Sequence, residues 1–274
     1  MTIKSVLAVA AAGLSLLMLP ATAQAATAAP PKCPSASCRV LVSGIPNAYS
    51  VTLDGHGAAF VSYWQGQVER VDLATGQRTT IATGLGNLRG IASDGAGSVY
   101  VAEFYGSIIK IDVATGAHQT VVSGLGEALL AVAYGNGHLY TGSSSTGQVW
   151  DVTTGTARQI ATKVGMVADL TVGPDGSVYV AEFAGSVSRI APNGAVRVFT
   201  ANQYEPNAIQ LAANGTVYFA AAGTLHAVDP VSGAVSPDLI LGGTDFLSDF
   251  AFGADKTSVA LNAGQLWEIT GYNG

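Results

Sequence analysis

Charge is scarce in this chain, with 12 Lys and Arg and 18 Asp and Glu among 274 residues. So thin a basic complement makes no stripe able to neutralise phosphates, which excludes nucleic acid and anionic lipid as expected partners. Cysteine is scarcer still: Cys33 and Cys38, both in "CPSASC", are the whole supply. With four histidines beside them there is no Cys/His cluster spaced for zinc. The phosphate loop GxxxxGK[ST] and the nucleophile elbow GxSxG are missing as well. Beyond the first 25 residues no apolar stretch approaches the ~20 residues of a membrane span, so no membrane insertion is expected.

What is present begins with a leader. Lys4 supplies a positive start, "VLAVAAAGLSLLML" an apolar run, and Ala23-Gln24-Ala25 a small-residue cleavage site. Residues 1–25 therefore read as a Sec-type signal peptide, and the expected location is extracytoplasmic or secreted. The formal charge is −6 with Lys4 counted and −7 without it. In an oxidising compartment Cys33 and Cys38 are expected to pair within the segment 26–38. A redox role is the alternative reading, although redox pairs usually have two residues between the cysteines rather than four.

Glycine is abundant, 34 in all, and helical periodicity is lacking, so internal repeats come first. "GIASDGAGSVYVAEFYGSIIKIDVATG" (90–116) is echoed by "DLTVGPDGSVYVAEFAGSVSRIAPNG" (169–194) and "SVTLDGHGAAFVSYWQGQVERVDLATG" (50–76). Weaker copies start near 131, 208 and 249. Aligned on Phe60, Tyr100, Tyr140, Tyr179, Tyr218 and Val259, the copies advance in steps of 40, 40, 39, 39 and 41 residues. Each unit reads as four short strands. A small apolar strand meets a hairpin turn such as Asp94-Gly95, and an almost wholly apolar second strand follows. A third, alternating strand then leads through a Thr-Gly turn to a fourth.

Four-stranded sheets at a ~40-residue period predict an all-β chain, a six-bladed β-propeller of four-stranded antiparallel blades over 39–274. The sixth unit ends after its third strand, "QLWEITG" (265–271). Residues 39–43, "RVLVS", look like a fourth strand with no unit before them. They are expected to close the ring by pairing in the last blade.

At "GIASDGAGSVYVAEFYGSIIKID" the chain resembles the NHL-repeat superfamily of six-bladed propellers. That superfamily includes the virginiamycin B lyase group and the senescence-marker/gluconolactonase group. The resemblance covers about residues 39–274, and it implies a fold more than an activity, because lyases, lactonases, sensors and scaffolds share it. A virginiamycin-type lyase uses His with Glu and Mg²⁺. Here His56, His118, His138 and His226 all fall outside the loops where such a base would stand, so the resemblance carries no lyase base to this chain.

In such propellers the loop leading into each first strand and the loop after each second strand meet at one channel mouth. The lead-in loops bring Asn47, Tyr49, Asn87, Arg89, Glu127, Asp169, Glu205, Asn207, Asp245 and Asp249. The second-strand ends bring Tyr63, Trp64, Glu103, Phe104, Ser143, Glu182, Phe183, Ala221 and Asn262. Candidate ligand-binding residues are Tyr49, Tyr63, Trp64, Arg89, Phe104 and Asn207, and Tyr105 and Tyr204 lie beside them. Glu103, Asp169, Glu182 and Asp249 are candidate ligands for Ca²⁺ or Mg²⁺, which prefer oxygen; a Glu in "VAEF" could instead cap backbone N–H groups of a neighbouring loop. The expected function is binding of a small molecule or protein partner at the mouth by a monomer. A metal-dependent lactonase or lyase is the alternative.

Overall fold

In the computed structural model residues 37–162, 164–237, 240–241, 247–253, 257–262 and 264–270 are described. The leader and the rest of the chain before residue 37, Cys33 included, lie outside them, as does Asp245. Every regular element among the described residues is a strand. The first, β1, spans Ser37–Ser43. Blade 1 follows as β2 (Ala48–Leu53), β3 (Ala58–Tyr63), β4 (Gln67–Asp72) and β5 (Arg78–Ala82). Blade 2 is β6 (Leu88–Ser93), β7 (Ser98–Glu103), β8 (Ser107–Asp112) and β9 (His118–Val122); blade 3 is β10 (Leu129–Gly135), β11 (His138–Ser143), β12 (Val149–Asp151) and β13 (Arg158–Ala161). Blade 4 is β14 (Val167–Val172), β15 (Val178–Glu182), β16 (Ser186–Ile190) and β17 (Val196–Thr200). Blade 5 is β18 (Ala208–Leu211), β19 (Val217–Ala221), β20 (Thr224–Val228) and β21 (Ile240–Leu241). Blade 6 is β22 (Leu247–Phe252), β23 (Thr257–Asn262) and β24 (Gln265–Thr270), and its fourth strand is β1.

The first strands of the six blades adjoin one another in a closed ring. Packing explains why the second strands are almost continuously apolar: β3 and β15 are buried along their whole length, because each blade is covered on both faces. The core is accordingly six layers, one between each pair of neighbouring blades. Turns at the far end are built by aspartate. Asp54 Oδ1 accepts from His56 N–H at 2.7 Å and Ala58 N–H at 3.0 Å. Asp72 takes the backbone and hydroxyl of Thr75, as Asp112 does with Thr115, the Asx-turn geometry that favours these residues there.

The closure is antiparallel, from Ser37 opposite Thr270 to Ser43 opposite Gln265, with one irregularity between Val40 and Val42. Val42 and Ile45 enter the layer between blades 6 and 1. A turn glycine shows that β1 occupies a true outer-strand slot. A Cβ on Gly116 (φ +72°) would stand 2.5 Å from Ile81 O, on the outer strand of the preceding blade. On Gly76 (φ +71°) it would stand 2.7 Å from Leu41 O, in β1. The same close approach is thus made to a strand from the other end of the sequence. Cys38, near the start of that strand, is disulfide-bonded.

Candidate binding site at the channel mouth

One backbone contact recurs at the mouth. The N–H after the second strand donates to a carbonyl of the same blade's lead-in loop: Trp64 to Asn47 at 3.1 Å, Phe104 to Asn87 at 2.9 Å, Ser144 to Ala128 at 2.9 Å and Phe183 to Met166 at 2.9 Å. These bonds bring the two loop sets together. Some lead-in residues are held at positive φ although they carry side chains, among them Asn47, Ala128, Asn202 and Glu205. L-residues adopt that region only when their surroundings impose it.

Arg89 is the centre of the aromatic group. It is 2% exposed, and its guanidinium carbon lies 3.4 Å from the Trp64 ring centre, 4.7 Å from that of Phe104 and 5.0 Å from that of Tyr49. Nη1 donates to Leu88 O at 2.9 Å, and no carboxylate pairs with it among the described residues. Burial lowers its pKa, opposed by the nearby Tyr49 and Glu103; ring faces supply the compensating negative potential. Tyr49 is pushed up to about 12 by burial, which outweighs the Arg89 charge, with Asp169 and Asp249 adding to the rise. Tyr49 therefore lies within electrostatic reach of both the guanidinium and the axial carboxylates.

Trp64 is 49% exposed in spite of this stack, and Tyr105, Met166 and Tyr204 are exposed on the same end. Tyr63 is different: it is buried, with its hydroxyl donating to Glu69 Oε2 at 2.6 Å. Glu69 also takes Arg78 Nε at 2.8 Å and Nη2 at 3.0 Å, so Tyr63 belongs to a buried polar knot that braces blade 1. Asn207 ties blade 5 to blade 6, its Nδ2 donating to Leu247 O at 2.8 Å and Ser248 O at 3.0 Å.

The four carboxylates divide into two kinds. Glu182 is buried and accepts from Gly165 N–H at 2.7 Å and from the Ser188 hydroxyl. Glu103, half-buried, accepts from Tyr105 N–H at 3.0 Å and packs against Gly86. Glu182 thus fastens a lead-in loop, and Glu103 caps the turn that follows its own strand. Asp169 and Asp249 face a small axial cavity of about 70 Å³, lined also by Ser50, Ser93, Thr171 and Gln210. Asp169 Oδ2 accepts from Ile209 N–H at 2.9 Å. Asp249 Oδ2 accepts from Ser50 Oγ at 2.6 Å and Val51 N–H at 2.8 Å, and Oδ1 from Phe250 N–H at 2.8 Å. Each aspartate reaches the first strand of the next blade. Burial and the Asp249 charge push Asp169 well above the usual carboxylate range; burial raises Asp249 to about 6 against its three hydrogen bonds.

Among the described residues no three His, Cys, Asp or Glu side chains come together as a metal would require. With the oxygens of Asp249 and Glu182 already taken by donors, these residues do not fit a Ca²⁺ or Mg²⁺ centre, which needs six or more free oxygen ligands or their water substitutes.

A family model described as "Outer membrane protein assembly factor BamB" matches residues 117–237, less than half of the chain. No curated protein matches it. Among solved structures, a gluconolactonase from Xanthomonas campestris superposes with a TM-score of 0.74 at 14% identity, covering 88% of this chain and 95% of that one. Streptogramin B lyase gives 0.68 at 13% identity, covering 86% and 97%. A protein of unknown function from Bacteroides thetaiotaomicron gives 0.69 at 16% identity, covering 85% and 72%. The shared property is the propeller fold. At these identities the likeness extends to architecture and no further.

His56, His118 and His138 lie at the far-end turns, and His226 lies on the third strand β20, its Nε2 2.6 Å from the Thr224 hydroxyl that donates to Ala221 O. His56 Nε2 contacts Gly95 O at 3.2 Å in a far-end turn, and His138 Nδ1 lies 3.4 Å from Asp151. Sequence reading missed Met166, Ser50 and the Glu69–Arg78 knot. The aligned column Ser50, Asp169, Asp249 held the signal for Ser50: polar residues recurring at one first-strand position.

Proposed function

We propose that this is an exported binding propeller that takes a small-molecule or protein partner at its channel mouth. The observation that carries this reading is the exposure of Trp64, Tyr105, Met166 and Tyr204 on loops at one end, Trp64 being stacked on a buried Arg89. Single exposed apolar residues are ordinary, but a rim of them on loops tied to rigid strands marks a contact surface. Tyr and Trp suit it because they offer large contact area at small conformational cost.

Trp64 is also the reporter. The other two tryptophans, Trp150 and Trp267, are buried, so quenching of exposed-Trp fluorescence reads the mouth directly. Titration of metabolite and peptide pools should quench Trp64 saturably, and Arg89→Leu should abolish or shift that response. A pool that binds, by calorimetry, without touching the Trp64 signal would place the site elsewhere.

A divalent-metal-dependent lactonase or lyase is the second reading. The convergence of Asp169 and Asp249 on one axial cavity favours it, as does the fold likeness to enzymes of those two names. The hydrogen bonds already made by these carboxylates weigh against it.

A further inference from the structure

We infer that the partner taken at the mouth presents a basic peptide segment, with Lys or Arg side chains seated on the rim aromatics and beside the rim carboxylates. This rests on the mouth being the binding face and adds the chemistry of the partner. The first support is the distribution of charge. Glu127 and Glu205 are exposed on the lead-in loops of blades 3 and 5, and Glu103, at the end of β7, is half-buried. Among the described residues the one basic side chain on these loops is Arg89, which is buried. Arg39, Arg70, Arg78, Lys110, Arg158, Arg189 and Arg197 all sit on third or fourth strands and not on the loops themselves. The charges exposed on the described residues of these loops are thus acidic, beside the aromatics; Lys163, between β13 and β14 in the sequence, lies outside the described residues.

The second support is that these aromatics already hold a guanidinium. Arg89 packs at 3.4 Å on the face of Trp64, and Trp64 remains 49% exposed, so its surface continues outward. Tyr105 and Tyr204 extend the same kind of ring surface around the rim. Aromatic faces beside carboxylates attract a cation twice over, through the ring quadrupole and through charge. Neither attracts an anion. The loops are also held in place: Glu127 O accepts from the Ser143 and Ser145 hydroxyls at 3.2 and 3.1 Å, and Glu205 is fixed at φ 46°. Positioned groups lose less freedom on binding than mobile ones.

The test uses the chain and fluorescein-labelled decapeptides of alternating Gly with Arg, Glu or Ser, read by anisotropy and by Trp64 quenching. The Arg peptide should bind, and its Kd should rise about tenfold or more between 50 and 300 mM NaCl, as exposed charges are screened. Glu127→Gln with Glu205→Gln should weaken it about tenfold. Tyr105→Ala with Tyr204→Ala should weaken it roughly fivefold, from two exposed ring contacts. Asp54→Asn with Asp112→Asn, at the opposite end, should change it less than twofold; both aspartates shape turns, so this pair should melt lower than the parent, and binding is read well below the melting temperature of every variant. The inference falls if the opposite-end pair weakens binding as much as the rim pairs, which would mean attraction to net charge alone. It falls too if the Ser or Glu peptide binds as well as the Arg peptide; quenching of Trp64 by those peptides would then leave the mouth standing as the binding face. Absence of any Trp64 response to every probe would remove both readings.

Discussion

Val42→Ala tests the ring closure at a single side chain. Val42 is 6% exposed and lies in the layer between blades 6 and 1, whereas Val40 on the same strand is 41% exposed. Removing two buried methyl groups forfeits about 1.6 kcal/mol of transfer free energy at ~0.8 each. Incomplete collapse around the gap brings the total to about 2–3 kcal/mol. For a domain of this size each kcal/mol lowers Tm by roughly 2–4 °C, so Val42→Ala should melt about 5–10 °C lower than the parent. Val40→Ala should stay within about 0.5 kcal/mol of it. Differential scanning calorimetry of the two variants is the assay, with deletion of residues 26–43 as the extreme case. That deletion removes every β1–β24 contact, leaves Glu268 without Arg39 and exposes the edge of β24, so its effect should exceed that of Val42→Ala. Equal melting of the deletion and the parent, or equal shifts in both point variants, would refute docking of this strand in the last blade.

The axial aspartates should tie stability to pH. Asp169 and Asp249 are raised when folded, so their stability contribution is fully present below the unfolded pKa of about 4 and is lost as pH rises above it, for Asp249 through about 6. Asp72, Asp112 and Asp229 are lowered by turn hydrogen bonds; what they contribute is present above pH ~4 and lost below it. Tm should therefore peak between about pH 4 and 6, with Asp169→Asn flattening the neutral limb; a Tm rising steadily to pH 8 would contradict the buried pair. Glu182→Ala should cost about 1–3 kcal/mol in urea melts by stranding the partly buried Gly165 N–H, and an effect below about 0.5 kcal/mol would show that the loop is held otherwise. Ca²⁺, Mg²⁺ and EDTA should each leave Tm unchanged, because a ligand bound only to the native state would raise it by mass action; a divalent shift abolished by Asp169→Asn would restore the metalloenzyme reading.

The fold was legible because its cause is local and repeated. Each unit carries the same order of small strand, apolar strand, alternating strand and Asp- or Gly-bearing turn, and six copies of one pattern average out the noise in any one. The closure was legible for a related reason: "RVLVS" had the character of a fourth strand where none was needed, and "QLWEITG" lacked one where it was. Asp169, Asp249 and Arg89 could likewise be assigned to one end from their position in the aligned units.

What a residue does once there was another matter. Tyr63 and Trp64 are adjacent in sequence, yet one is pinned to Glu69 in the interior and the other lies open over Arg89, because successive side chains on a strand and its turn point in different directions. Glu103 and Glu182 look like metal ligands by type and position; Gly86 and Gly165 in the loops beside them leave the room that lets them fasten backbone instead. The sequence alone determined the number of blades, their order and the strand that closes them, since these follow from short-range patterns and their count. Only the tertiary structure decided which polar groups are spent on holding blades together and which remain for a partner, because that depends on directions and distances between residues tens to hundreds of positions apart.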